Sequence, residues 1–248
     1  MSFDRSFRLP LALAAAVSAI AFPTAASAAP GLGDEVYGAT VEKGEPELEA
    51  RYGRLGGGAD DSEDTLKLEA GYGVTDRLRL AVVGEFEREP GGPRKAEAAA
   101  IEAVYALGRV GGVDVAVYGE YEFGFNGNSD AAETKLLLER RAGIWDARLN
   151  LIAEKPLASG APVELGYAAS VDAAVLGKTR LGVQAFGGLG TFRDFAPRAE
   201  HFVGPVAKFD LTGLGAEHTG IEIGYLFALG KAKDDADGQL KINLELEF

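Results

Sequence analysis

The sequence predicts an all-β protein: a transmembrane antiparallel up-and-down β-barrel of about twelve strands, preceded by a cleaved signal peptide. Three observations carry that prediction. Residues 1–28 have the layout of an export signal. The remainder divides into twelve segments, most about ten residues long, with turn residues between them. Within the segments apolar residues alternate with charged ones, and period 2 puts the two sets on opposite sheet faces.

The export signal has its three parts in order. Arg5 and Arg8 form a positive start, Leu9 to Phe22 an apolar stretch, and Ala26-Ser27-Ala28 a small-residue cleavage site, so Ala29 is the expected mature start. The apolar stretch is too short to cross a bilayer as a helix. Residues 29–44 follow, with Val36-Tyr37-Gly38-Ala39-Thr40-Val41 at their centre. They are expected as a periplasmic lead-in to the barrel at 45–248; a plug inside the lumen and an extra length of strand are the alternatives.

The twelve segments fall near residues 46–55, 65–73, 77–88, 96–107, 113–124, 133–141, 145–155, 163–174, 179–189, 201–211, 219–229 and 238–248. Ten residues suit a tilted strand that crosses a membrane, and single-chain barrels need an even count. The connections alternate. Val74 to Asp76, Gly108 to Gly112, Ala142 to Ile144 and Val175 to Lys178 are tight, whereas Gly56 to Asp64, Glu89 to Lys95, Phe125 to Ala132, Pro156 to Pro162, Gly190 to Glu200 and Gly230 to Asp237 are more polar and mostly longer. Short turns on one side and longer loops on the other are the barrel pattern, with both chain ends on the short-turn, periplasmic side. The tenth connection, 212–219, is long and breaks the rule.

One face of the strands is apolar. Leu78, Leu80, Val82 and Phe86 form one stripe, Val113, Val115, Val117, Tyr121 and Phe123 another, Trp145, Ala147, Leu149 and Leu151 a third, and Ile221, Ile223, Tyr225 and Phe227 a fourth. Tyr52, Tyr72, Phe86, Trp145 and Phe227 stand near strand ends, where aromatic girdles are expected. The other face carries the candidate lumen lining: Glu49, Arg51, Lys67, Glu69, Arg79, Glu85, Glu120, Glu122, Arg148, Arg180, Lys241 and Glu245. So many charges in the dry core of a soluble sandwich would cost several kcal/mol each. They fit a barrel whose apolar face meets lipid and whose charged face meets water or ion-pair partners. A soluble two-sheet sandwich is the competing fold.

Composition narrows the function classes. The net charge is −13, and loss of residues 1–28 makes it one unit more negative, which disfavours nucleic acid as a partner. With no cysteine there is no disulfide framework and no thiolate metal site. Mean hydropathy is near zero, and after residue 28 no window of about 20 apolar residues remains for a helical span. Alternation hides a barrel's apolar face from such averages.

No catalytic residue, metal site or cofactor is expected. Nucleophilic catalysis needs a base oriented by a third group. His201 and His218 are the only histidines, and Ser129 or Ser159 beside His201, or an Asp194–His201 pair, are the arrangements a barrel hydrolase would need. No motif supports them, so both histidines read as rim residues in water. Asp60, Asp61, Glu63 and Asp64 in the first outer loop and Asp234, Asp235 and Asp237 in the last are brought together by barrel closure, yet the distal bidentate Glu of a calcium loop is missing. They read as solvated acidic loops, with a shared weak divalent-cation site as the alternative. Gly56-Gly57-Gly58 and Gly187-Gly188-Leu189-Gly190 lack the setting of phosphate loops and read as turns or strand kinks.

Leu240, Ile242, Leu244 and Leu246 alternate with polar residues up to an aromatic, Phe248, at the last position. That ending resembles the closing strand of bacterial outer-membrane β-barrels, whose terminal Phe is part of the assembly signal. Gly71-Tyr72-Gly73-Val74-Thr75-Asp76-Arg77-Leu78, Val41 to Glu49, Gly204-Pro205 and Gly224-Tyr225-Leu226-Phe227 are similar to a largely uncharacterised group of such proteins in proteobacteria. The resemblance implies the fold, an outer-membrane location in a Gram-negative bacterium and assembly-machinery contact through Phe248. It implies no catalytic or binding residue. The expected protein is therefore a monomeric barrel in the outer-membrane bilayer, a passive channel or transporter for small polar or cationic solutes through an acidic lumen. A largely closed structural or surface-interaction barrel and an outer-membrane hydrolase are the alternatives.

Overall fold

Alternating sequence leaves every strand with one face that water rejects, and closure into a ring gives that face a single side. A computed structural model describes residues 30–211, 216 and 218–248, without the side chains of 197 and 198. Twelve strands run in order: β1 Pro46–Gly56, β2 Asp64–Gly73, β3 Leu78–Arg88, β4 Lys95–Val110, β5 Val113–Gly124, β6 Ala131–Ala142, β7 Trp145–Pro156, β8 Glu164–Leu176, β9 Thr179–Thr191, β10 Phe195–Asp210, β11 His218–Gly230 and β12 Gly238–Glu247. Each pairs antiparallel with its sequence neighbours, and β12 pairs with β1 to close the barrel. Closure leaves no free sheet edge. At about 4.8 Å between strands and a tilt of about 40°, twelve strands make a wall of roughly 12 Å backbone radius.

The exterior is the apolar face. Leu48, Leu68, Val82, Ile101, Val117, Leu136, Leu151, Val171, Val183, Phe209, Ile223 and Leu244, one from each strand, are all exposed. A belt of that extent has no place in water and meets lipid. Tyr72, Tyr105 and Trp145 border it at the short-turn end, and Tyr121, Phe123 and Phe227 at the long-loop end.

The structure revises two expectations about connections. The fifth long loop, expected over 190–200, is mostly strand: β9 and β10 extend to Thr191 and from Phe195, with a register shift between Phe195 and Glu200. Gly187, Gly188 and Gly190 give β9 little side chain to pack there, and the pairing continues through the register shift instead of ending in a loop. The last long loop folds inward. A 3-10 turn, Lys231–Asp234, buries Ala232, and Ala236 is buried beside it, both against Phe202 and Leu226. The export signal expected over residues 1–28 and most of the tenth connection lie outside the described residues.

The larger correction concerns the segment before β1. Residues 30–41 are not a periplasmic lead-in; they lie inside the lumen. The chain leaves β1 at the short-turn end, where Gly44 N–H donates to Gly73 O at 2.8 Å, and climbs to Pro30, whose carbonyl accepts from Gln239 Nε2 at 3.1 Å near the long-loop end. Two glycines permit this path. A Cβ on Gly53 would collide with Gly33 N, and Gly31 sits at φ 79° against the Phe186 ring. The physical reason is satisfaction of groups on both sides. Buried wall side chains such as Asn150, Glu139 and Gln239 need partners, and the segment's backbone groups, which belong to no strand ladder, bond them.

Candidate functional site

Tyr37 is the centre of the inserted segment. Asn150, fully buried on the inner face of β7, holds its backbone from both directions: Tyr37 N–H donates to Asn150 Oδ1 at 2.8 Å, and Asn150 Nδ2 donates to Tyr37 O at 3.0 Å. The amide thus replaces the strand that Tyr37 lacks. Its hydroxyl donates to Glu102 at 3.2 Å and accepts from Arg51 Nη1 at 2.9 Å. The Lys135 ammonium lies between two rings, 4.5 Å from the Tyr37 centroid and 4.3 Å from that of Tyr118. Above and below Tyr37 the pattern repeats. Asp34 takes Lys67 at 2.9 Å, Lys241 donates to Asp34 O, Arg148 donates to Val36 O at 3.3 Å, and Glu139 accepts Ala39 N–H at 2.9 Å.

Losing the Asn150 amide would leave two Tyr37 backbone groups without partners, at a cost of about 1–3 kcal/mol. Asn150→Leu should therefore loosen the segment while the barrel stays closed. The chain has no cysteine, so Val36→Cys supplies a single reporter. In detergent, Val36→Cys alone should resist a charged maleimide, and Val36→Cys with Asn150→Leu should label. Equal labelling of both would mean that Asn150 does not retain the segment.

Below Tyr37 the lumen is an ion-pair network. Arg51 on β1 reaches Glu35 at 3.1 Å, Glu49 at 3.5 Å and Glu69 at 2.7 Å, and Arg79 shares Glu69 at 2.5 Å and takes Glu47 at 2.9 Å. One carboxylate oxygen each of Glu35, Glu49 and Glu69 lies within 4.8 Å of the others, and the Arg51 guanidinium supplies the charge that gathers them. Side chains and segment crowd the axis here, and Glu49, Glu69 and Glu102 are buried. A second plug is apolar. Phe186, Phe202, Leu226 and Leu55 point inward and pack with Leu32 and Val36 of the segment, so the inner wall is not charged all round.

Above Tyr37 a cavity of about 710 Å³ opens among the long loops. Tyr37, Tyr118, Arg51 and Lys135 are among the residues at its inner end, and Glu87, Glu97, Glu122 and Glu154 stand on its walls. Eleven carboxylates line it against four basic side chains. Lys67 answers Asp34 and Glu85, Lys135 answers Glu133, and Arg51 answers Glu102. Glu87, Glu89, Glu97, Glu120, Glu122, Glu154 and Glu164 have no basic side chain within 4 Å among the described residues. The cavity is a vestibule with an excess of acidic side chains, an arrangement that draws cations.

All twelve lining residues anticipated from alternation point inward, but they serve three places. Arg51, Lys67, Glu85, Glu120 and Glu122 reach the vestibule. Glu49, Glu69, Arg79 and Glu245 lie in the lower lumen, where Asn243 Nδ2 also donates to Glu49 at 2.5 Å. Arg148 is tied to Asp146 at 3.1 Å and Arg180 to Asp172, Lys241 to Asp34 O. Asp34, Tyr37, Glu102, Lys135, Glu139 and Asn150 were not anticipated. The parity that exposed Glu120 also marks Glu102, Lys135, Glu139 and Asn150 as inward. For Asp34 and Tyr37 a segment with no period offers no such signal.

The hydrolase arrangements do not assemble. His201 Nδ1 lies 3.0 Å from Tyr167 Oη, and neither Ser129, Ser159 nor Asp194 bonds it among the described residues. His218 pairs instead with Asp210 at 3.1 Å on the short-turn rim, where Lys178 also reaches that carboxylate. The first and last outer loops do touch, through Asp60 N–H and Asp235 O at 2.9 Å. Burial, with Asp60, Glu89 and Asp235 nearby, raises the Glu63 carboxyl above its usual range. Their carboxylates form no metal-sized group among the described residues; Asp64 is buried under Arg88 and Arg94.

Comparison with solved structures agrees with this geometry. The NanC porin superposes with a TM-score of 0.56 at 11% identity, covering 81% of this chain and 98% of that one. The KdgM porin gives 0.55 at 9% identity, covering 82% and 99%. The fold is that of porins. A KdgM structure in complex with disordered oligogalacturonate aligns equally well, at 10% identity and a TM-score of 0.55. No protein-family model matches the chain, and no curated protein matches it in sequence.

Proposed function

We propose that this porin-fold protein is an outer-membrane channel for small cationic solutes, loaded from the outside through the acidic vestibule and closed at rest by its own residues 30–41. The observation that carries this reading is the vestibule: about 710 Å³, open among the long loops, with seven carboxylates that have no basic side chain within 4 Å among the described residues. Low-dielectric walls lined by one sign of charge concentrate the opposite ion and repel the same one. A polyanion such as the oligogalacturonate of the KdgM complex is the wrong charge for these walls. Phe248, exposed at the periplasmic end of β12 with its N–H bonded to Pro46 O at 3.1 Å, supports delivery by the barrel-assembly machinery through the closing strand.

Flux into proteoliposomes tests the reading. Putrescine should enter faster than galacturonate, and Glu120→Gln with Glu122→Gln should narrow that difference. Preference for galacturonate would overturn it. Absence of flux for both solutes, even after residues 30–41 are removed, would favour the sealed structural barrel, a reading that the hydrogen bonds around Tyr37 support.

A further inference from the structure

Three arginines stand outside the barrel wall at the long-loop end, a concentration of positive charge unusual in a chain of net charge −13. The register aligns them: Arg54 on β1 faces Asp64 on β2, and Asp64 faces Arg88 on β3. Arg94, just before β4, lies across the loop from Arg88 and its guanidinium is 5.8 Å from the centre of the Tyr52 ring. Asp64 is fully buried beneath this group and bonds Arg88 and Arg94, while Arg54 donates to Ser62 Oγ at 3.0 Å. One carboxylate therefore holds two guanidinium groups, and Ser62 Oγ, which accepts from Arg54, donates in turn to Asp61 at 3.2 Å. Arg88 and Arg94 keep about a third of their side-chain surface exposed.

Their height matters as much as their charge. The next outward row below them is Tyr52, Leu66 and Phe86, the upper border of the apolar belt on this side. Eight residues of β2 separate Asp64 from Tyr72 at the lower border, roughly 26 Å along the strand and about 20 Å along the normal at a tilt of about 40°. The arginines thus sit just above a hydrocarbon layer, at headgroup level. Guanidinium groups bind phosphate oxygens in pairs, and basic clusters at this level bind anionic headgroups. Among the neighbouring acids, Asp61 is joined to Arg54 through the Ser62 hydroxyl and offsets one charge, which leaves the cluster one positive charge in excess, and Asp60 lies on the side of the last outer loop.

We infer that Arg54, Arg88 and Arg94, organised by Asp64, form a docking site for the phosphate groups of an outer-leaflet glycolipid. The inference rests on the outer-membrane reading, with the long loops outside, but not on transport. The test uses the folded full-length mature protein in detergent, with bisphosphorylated lipid A, its dephosphorylated form and inorganic phosphate as separate probes. Lipid A should bind, and the dephosphorylated lipid should bind far more weakly. Inorganic phosphate at the same concentration should not compete. Arg54→Gln should weaken lipid A binding roughly fivefold, and further removal of charge should add to this. Because Arg88 and Arg94 cover a buried carboxylate, they are replaced together with it, as Arg88→Gln, Arg94→Gln, Asp64→Asn. Unchanged affinity in both variants, or equal affinity for the dephosphorylated lipid, would overturn the site. Competition by inorganic phosphate at equal concentration would overturn the glycolipid as its ligand. A barrel that folds in lipid yet fails these tests would leave the membrane reading intact.

Discussion

Deleting residues 30–41 should turn a barrel that is closed in planar bilayers into one with discrete, cation-selective conductance steps. The segment fills the axis of a wall only roughly 12 Å in radius, and it is bonded to the inner face through Asn150, Glu102, Glu139, Lys67 and Lys241. Its removal unpairs those side chains in a space that water then fills, so the cost is hydration rather than a dry unsatisfied group. Leu32 and Val36 also leave the inner apolar cluster, which loosens the sector of Phe186 and Phe202. Glu102, Glu35's former partner Arg51, and the lower carboxylates Glu49 and Glu69 would then line a continuous path below the vestibule. Selectivity should favour cations, because acids outnumber bases along that path. Recordings that stay flat for a deletion variant still migrating as a folded, heat-modifiable barrel would show that side chains alone seal the lumen.

The second large effect concerns the lipid face. Leu244 and Asn243 are adjacent on β12 but point to opposite sides. Leu244 lies in the outward row with Ala50 and Leu68, midway between the aromatic borders, whereas Asn243 faces Arg51 and bonds Glu49. Lysine at the midplane of a barrel's lipid face costs roughly 2–4 kcal/mol. At 243 the same ammonium meets a lumen with surplus carboxylates, Glu49 and Glu245 among them, and offsets their repulsion. Leu244→Lys should therefore lower folding yield and unfolding free energy in lipid vesicles by most of that amount, while Asn243→Lys folds in good yield. Equal losses in the two variants would show that the apolar belt does not meet lipid.

The strand plan was legible because period 2 is a local property. Leu78, Leu80 and Val82 declare their face without reference to any other strand, and the same count gives the inward residues from Glu49 to Glu245. Even the closing pair could be expected, since an even set of strands with alternating short and long connections has one simple closure. The misjudged loop at 190–200 shows the limit of local reading: its glycines mark a kink and a turn equally well.

What occupies the lumen was decided only by the tertiary structure. Residues 30–41 carry no periodic signal, and their partners Asn150, Lys135, Glu139 and Gln239 come from distant strands that meet only after closure. Sequence by itself determined the barrel, its two faces and the acid excess inside, because alternation and charge are properties of the chain taken residue by residue. The occupied axis, the division of the twelve inward charges among three places, and the arginine cluster around Asp64 depend on which side chains the ring brings within hydrogen-bonding reach. Satisfying buried polar groups is a non-local requirement, and no single strand contains both halves of it.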